Sequence, residues 1–119
     1  MRRRKFLLLT ATGALATMAP FCRSRRNDPA LSKPLFLATL CDAPTLKKIG
    51  AAYRASVPDE SKRSTLGDLL TAGLPDDAGL ANQLGSKVRQ DFAAGRIVTV
   101  DGWVLSVTEA RQCAMYSLQ

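Results

Sequence analysis

Residues 91–118 read DFAAGRIVTVDGWVLSVTEARQCAMYSL, and the change of period inside this stretch decides the fold. Ile97-Val98-Thr99-Val100 is β-branched throughout, Asp101-Gly102 is a dipeptide favoured by type I′ hairpin turns because both central residues need positive φ, and Trp103-Val104-Leu105 supplies a return strand. The stretch predicts a β-hairpin. An isolated two-stranded ribbon is marginally stable in water, so its apolar face has to pack on helices. Directly after it, Ser106-Val107-Thr108-Glu109 has the spacing of a capping box and predicts a closing helix from Val107 to about Leu118. The sequence carries only Gln119 beyond that helix, so the pattern leaves its outer face without a later covering segment and points to a partner there.

Upstream the period is helical. Leu80, Leu84, Val88 and Phe92 recur at four-residue steps, and Gly95 stands where a left-handed helix terminator is wanted. Leu74-Pro75-Asp76-Asp77 supplies turn chemistry, with acidic residues placed for the dipole of that helix. A brief helix carries Leu66, Leu69 and Leu70, with Ser61 and Ser64 as cap candidates and Gly73 as terminator. Leu46, Ile49, Tyr53 and Val57 share one face of a helix from about Pro44 to Ser56, which Pro58 stops. Residues 34–41, PLFLATLC, read as a short apolar helix opened by Pro34. The expected fold is mainly α: a small orthogonal bundle of four to five short helices with one β-hairpin near the C-terminus. It occupies residues 33–119, and the polar, proline-containing stretch 27–32 reads as a linker.

The first 26 residues are different in kind. A basic head, Arg2-Arg3-Arg4-Lys5, precedes an apolar stretch from Phe6 to about Ala19, the order of an export signal. That stretch is interrupted by Thr10, Thr12, Gly13 and Thr17 and falls short of the ~20 apolar residues that a spanning helix needs. Within the head, Arg3-Arg4-Lys5-Phe6-Leu7 matches the twin-arginine pattern of two arginines, any residue, Phe, then Leu. Ala14-Leu15-Ala16 fits a cleavage site, and Cys22 is a candidate for lipidation although bulky Phe21 precedes it. Seven cations in this segment account for the whole net charge of +7, leaving ten basic and ten acidic residues in the remainder. A protein that grips nucleic acid by releasing counterions carries its basic excess on the folded surface, so this distribution argues against DNA or RNA as partner.

Composition closes off most catalytic chemistry. With no histidine, Ser-His-Asp and Cys-His nucleophiles and His-ligated zinc are excluded. Asp76-Asp77 is explained by helix capping and Asp101 by the turn, which leaves Asp91 without a carboxylate partner for acid-base work. The glycines follow neither dinucleotide nor P-loop spacing, and no calcium-loop pattern occurs. The expectation is no enzyme, no cofactor and no metal. Cys41 and Cys113 lie 72 positions apart and form no redox or zinc motif; they read as buried thiols or, in an oxidising compartment, as a candidate disulfide. Trp103 beside the tight turn either folds onto the helices as part of the core or stands out as an interface anchor that Tyr116 near the C-terminus joins, because an aromatic on a rigid element loses little entropy on binding.

With RRRKFLL at the start and the layout of DFAAGRIVTVDGWVLSVTEARQCAMYSL at the end, the chain resembles small bacterial proteins with twin-arginine signals. More distantly it resembles the small (gamma) subunits of periplasmic flavin dehydrogenases of the gluconate 2-dehydrogenase type. The resemblance implies an exported accessory subunit that binds no flavin and carries the signal for a larger flavin-dependent catalytic subunit. Its partners would be the twin-arginine translocase and that dehydrogenase, its location the periplasm, and its membrane contact transient or by a tether. The alternative is a free-standing periplasmic or membrane-tethered helical protein with a binding or structural role.

Overall fold

Both turn residues of the hairpin take positive φ, 52° at Asp101 and 86° at Gly102, in the computed structural model, which describes residues 28–75 and 79–119. Arg3, Arg4, Phe6 and Leu7, which the sequence reading assigns to an export signal, lie outside the described residues, as do Cys22, Asp76 and Asp77. Strands β1 (Ile97–Val100) and β2 (Trp103–Ser106) pair antiparallel with Val98 opposite Leu105, Thr99 opposite Val104 and Val100 opposite Trp103. Side chains alternate across a strand, so this register turns Val98, Val100, Trp103 and Leu105 towards the core and Ile97, Thr99 and Val104 outward.

Five α-helices complete the described fold: α1 (Leu37–Leu40), α2 (Ala43–Ser56), α3 (Arg63–Thr71), α4 (Leu80–Ala94) and α5 (Val107–Ser117), with 3-10 turns at Pro29–Ser32 and Pro58–Glu60. The expected mainly helical architecture with a C-terminal hairpin is what the chain adopts. The capping box closes as its spacing predicts. The Glu109 N–H donates to Ser106 Oγ at 3.0 Å, and the Ser106 N–H donates to Glu109 Oε1 at 3.1 Å.

Helix α5 is the axis of the domain, in contact with α2, α3, α4, both strands and the first 3-10 turn. The expectation of an uncovered outer face is therefore corrected. Sequence patterning misjudged this helix because three of its buried positions are polar and each is satisfied by a hydrogen bond within the fold. Thr108 donates to Asp91, Glu109 closes the capping box, and Gln112 Nε2 donates to the carbonyls of Ala30 and Lys33 at 2.9 and 3.3 Å. Those last two bonds also correct the linker reading of 27–32 over its described residues, 28–32. Asp28 Oδ1 caps the 3-10 turn by accepting from the Ala30 N–H at 2.9 Å, and Leu31 is 1% exposed, a full member of the core.

Helix α2 begins at an Asp42 cap that accepts from the Thr45 N–H at 3.0 Å, and it buries Leu46, Ile49 and Tyr53, with Val57 half-buried at its end. It crosses α5 at Gly50, where a Cβ would stand 1.9 Å from the Cys113 carbonyl oxygen. Helix α3 buries Leu66 and Leu70, but neither Ser61 nor Ser64 caps it. Lys62 holds the cap position without a side-chain bond, while the Ser61 hydroxyl donates to Pro58 in the preceding turn. At its other end the Lys87 ammonium donates to the carbonyls of Leu69, Leu70 and Ala72 at 2.9, 3.2 and 3.5 Å, placing a cation on the negative end of the helix dipole. Residues 34–41 form less helix than Pro34 suggested. Only Leu37–Leu40 is α-helical, with Leu37 buried and Leu35, Phe36 and Leu40 exposed.

Candidate functional site

The four-residue repeat on α4 explains an apolar concavity of the surface. At 3.6 residues per turn, a step of four overshoots by about 40°, so three steps swing the stripe by about 120° around the helix. Leu80 and Leu84 accordingly face the core, Val88 is half-buried, and Phe92 has rotated out to 48% exposure. Across from this departing stripe runs the segment after the first 3-10 turn, where Leu35 is 52% and Phe36 68% exposed. Between the two lies a groove of about 380 Å³ whose walls are mostly apolar. Gly85 deepens it. A Cβ there would meet only the Arg89 guanidinium, at 3.9 Å, so the missing side chain leaves open space above Leu84.

Polar groups sit at the edges of this groove. Gln112 and Glu109 contribute to the floor, and both are engaged, one with the 3-10 turn and the other in the capping box of α5. The Glu109 carboxylate thus lies at a helix N-terminus, where unpaired N–H groups and the dipole offset its charge. On the walls, Lys33 and Arg89 are exposed and neither pairs with a carboxylate among the described residues; Arg89 Nη2 donates only to the Ser86 hydroxyl of its own helix, at 3.0 Å. The outer part of the groove is consequently cationic.

Two other polar clusters are structural. Asp91, 3% exposed, accepts from the Thr108 N–H at 2.9 Å, from the Thr108 hydroxyl at 2.6 Å and from Arg96 Nε at 3.0 Å, tying α4 to the start of α5. Burial works against its ionised form, yet the bonds from Thr108 and Arg96 outweigh it and hold the carboxyl below the usual aspartate range. Arg111 grips Glu60 through two bonds of 2.8 and 3.1 Å, and the Tyr53 hydroxyl donates to the same carboxylate at 2.8 Å. Arg111 lowers the Glu60 pKa, and burial followed by the hydrogen bond to Glu60 and then its charge pushes the Tyr53 phenol up to about 12. The oxygens of both clusters accept their bonds from side chains and backbone on neighbouring elements, so each cluster ties parts of the fold together.

The residues singled out from sequence are dispersed. Trp103 is half-buried on the inner face of the hairpin, packed against the core. Tyr116, half-buried on α5, has the Lys47 ammonium 5.6 Å from its ring centroid, a cation–π contact. Cys41 and Cys113 stand as free thiols. Cys41 is half-buried at the end of α1, and Cys113 lies fully buried on α5, where burial, then the charges of Glu109 and Cys41, push its thiol up to about 12. Among the described residues no group of three or more His, Cys, Asp or Glu side chains could hold a metal, and no helix is long and apolar enough to cross a membrane. The groove itself was missed by sequence reasoning. Its signal was present in the four-residue spacing on α4, whose drift off the core is a matter of arithmetic. No family model, curated protein or solved structure matches the chain.

Proposed function

We propose that this chain is an exported, non-catalytic accessory subunit that escorts or stabilises a larger periplasmic oxidoreductase through the twin-arginine leader at residues 1–26. The observation that carries the reading is the outward face of the hairpin. Ile97 and Val104 stand 48% and 60% exposed there, on a ribbon whose opposite face is anchored by Val100 and Leu105 in the core. An apolar face on an already ordered element gives up little conformational entropy on docking, which is what a subunit interface needs. The leader adds direction, because RRRKFL addresses the chain to a route that carries folded proteins, and a bound partner would travel with it.

The test is purification of the chain, tagged at Gln119, from the periplasm and membranes of its native host, with mass spectrometry of the intact species. The expected result is a stoichiometric flavoprotein that stays in the cytoplasm when Arg3 and Arg4 are changed to Lys. That flavoprotein should be lost from the purified complex in Val104→Glu, whose far-UV circular dichroism should match the unaltered protein. Recovery of the processed chain alone overturns the subunit reading in favour of a free-standing exported domain.

A further inference from the structure

The groove between α4 and residues 30–36 has the size, lining and charge of a ligand site, and it lies apart from the hairpin face on which the subunit reading rests. At the ~30 Å³ that a water molecule takes in the liquid, its 380 Å³ holds about a dozen non-hydrogen atoms. That volume falls within the range of small-molecule sites, which are typically apolar with a few fixed polar groups. Leu84, Val88 and Phe92 form one wall and Leu35 and Phe36 the other. The charge is asymmetric. Glu109 at the floor is engaged in the capping box at the N-terminus of α5, whereas Lys33 and Arg89 on the walls form no ion pair with a carboxylate among the described residues. A ligand with an apolar body and an anionic end satisfies both halves.

We propose that this groove binds a single medium-chain carboxylate, its alkyl chain lying between Val88, Phe92, Leu35 and Phe36 and its carboxylate held by Arg89 and Lys33. Gly85 then has a purpose beyond helix geometry, since any side chain there would occupy the space that the alkyl chain takes. The same chemistry could be presented as a free fatty acid or as the acyl chain of an anionic lipid, and the proposal commits to the free acid, because the volume accommodates one short chain and no more.

The experiment is isothermal titration calorimetry of the full-length protein with sodium dodecanoate below its micellar concentration. Dodecyltrimethylammonium serves as the cationic analogue of equal chain length, and phosphatidylglycerol vesicles form a separate arm. Dodecanoate should bind saturably, one per chain, and the ammonium analogue at least about tenfold more weakly. Gly85→Leu, which fills space that is open in the structure, should weaken dodecanoate binding by about tenfold or more while leaving the melting transition intact. Arg89→Glu together with Lys33→Glu, both on the exposed surface, should reverse the preference between the two amphiphiles. Equal binding of both amphiphiles, or indifference to Gly85→Leu, overturns the proposal, since the basic N-terminal segment could attract anions without any groove. Binding to vesicles without binding to monomeric dodecanoate overturns it as well and assigns the patch to a membrane surface.

Discussion

Replacing Gly50 by Ala tests the central packing of the domain, because elementary helix propensity and the structure predict opposite signs. In a helix interior Ala is more favourable than Gly by about 1 kcal/mol, so propensity alone makes Gly50→Ala stabilising. Steric overlap at the helix crossing opposes that gain and exceeds it. The added Cβ would lie 1.9 Å from the Cys113 oxygen, 2.4 Å from its carbonyl carbon and 2.8 Å from the Ala114 nitrogen, all of them main-chain atoms that no rotamer change can move. Carbon and carbonyl oxygen meet at about 3.3 Å, so α2 and α5 would have to part by about 1.4 Å. Helix α5 cannot retreat, because α3, α4, the hairpin and the 3-10 turn occupy its other sides. Separation would also loosen Leu46, Ile49 and Tyr53 on the same face of α2. Overpacking costs about 1–3 kcal/mol, occasionally more, and three main-chain contacts put this site at the upper end, about 3 kcal/mol, so a net loss of about 2 kcal/mol is expected after the propensity gain. For a domain of this size that is a fall of roughly 8–16 °C in Tm. Gly67→Ala and Gly85→Ala are the controls. Their new methyl groups would meet nothing closer than Met115 Cε at 3.6 Å and Arg89 at 3.9 Å, and each should gain about 0.5–1 kcal/mol. The assay is urea unfolding followed by far-UV circular dichroism, with stability read at constant m. A Gly50→Ala variant as stable as the two controls would refute the close crossing of α2 and α5.

Asp91→Asn should lose about 1–3 kcal/mol at neutral pH, because an amide cannot accept from Thr108 and Arg96 at both of its ends. The folded pKa of Asp91 is depressed, so its contribution is fully present above the ordinary aspartate value of about 3.9 and is lost as the pH falls through the folded value. Urea titrations from pH 7 to acid should show a shallower decline in the Asn variant, and parallel declines would contradict the assignment. Lys87→Met should cost about 1–2 kcal/mol by orphaning the last carbonyls of α3, with hydrogen exchange accelerating first at residues 66–72; uniform acceleration across all helices would argue against a local cap. Under reducing conditions native alkylation should modify Cys41 while Cys113 reacts only after unfolding, because its thiol is both buried and raised to about 12; peptide mapping that finds equal rates would show the α5 core to be open.

Most of the fold was legible because its signals are local. The hairpin follows from two residues that tolerate positive φ between β-branched runs, and the closing helix from a Ser and a Glu three positions apart. What escaped was non-local. Nothing in the neighbourhood of Ser61 and Ser64 announces that α3 will start uncapped, or that its far end will be closed by Lys87, fifteen to eighteen residues downstream of the carbonyls it binds. The 27–32 stretch looked like a linker because Asp28, Pro29 and Ser32 are polar or turn-forming. Its role depends on Gln112, which lies 82 positions from Ala30 and supplies the amide that holds the segment down.

The groove belongs to an intermediate class, encoded locally but easily misread. A run of apolar residues at helical spacing is normally taken as a buried face, and for Leu80 and Leu84 that is correct. The same four-residue step cannot keep Val88 and Phe92 on that face, since a stripe that stays on one side of a straight helix must alternate steps of three and four. On α2 the spacings from Leu46 to Ile49 to Tyr53 do alternate, and all three side chains are buried. The unalternated stripe on α4 is therefore informative in itself. Its first half builds the core, and its second half carries apolar surface out to meet Leu35 and Phe36, whose own exposure the short helix α1 leaves unrelieved. Two substitutions along that stripe test the argument: exchanging Phe92 for Glu removes only exposed apolar surface and should leave the melting temperature within a few degrees, whereas Leu84→Ala should cost about 2–5 kcal/mol. Equal losses at the two positions would mean that the stripe does not leave the core, and the groove would lose its basis.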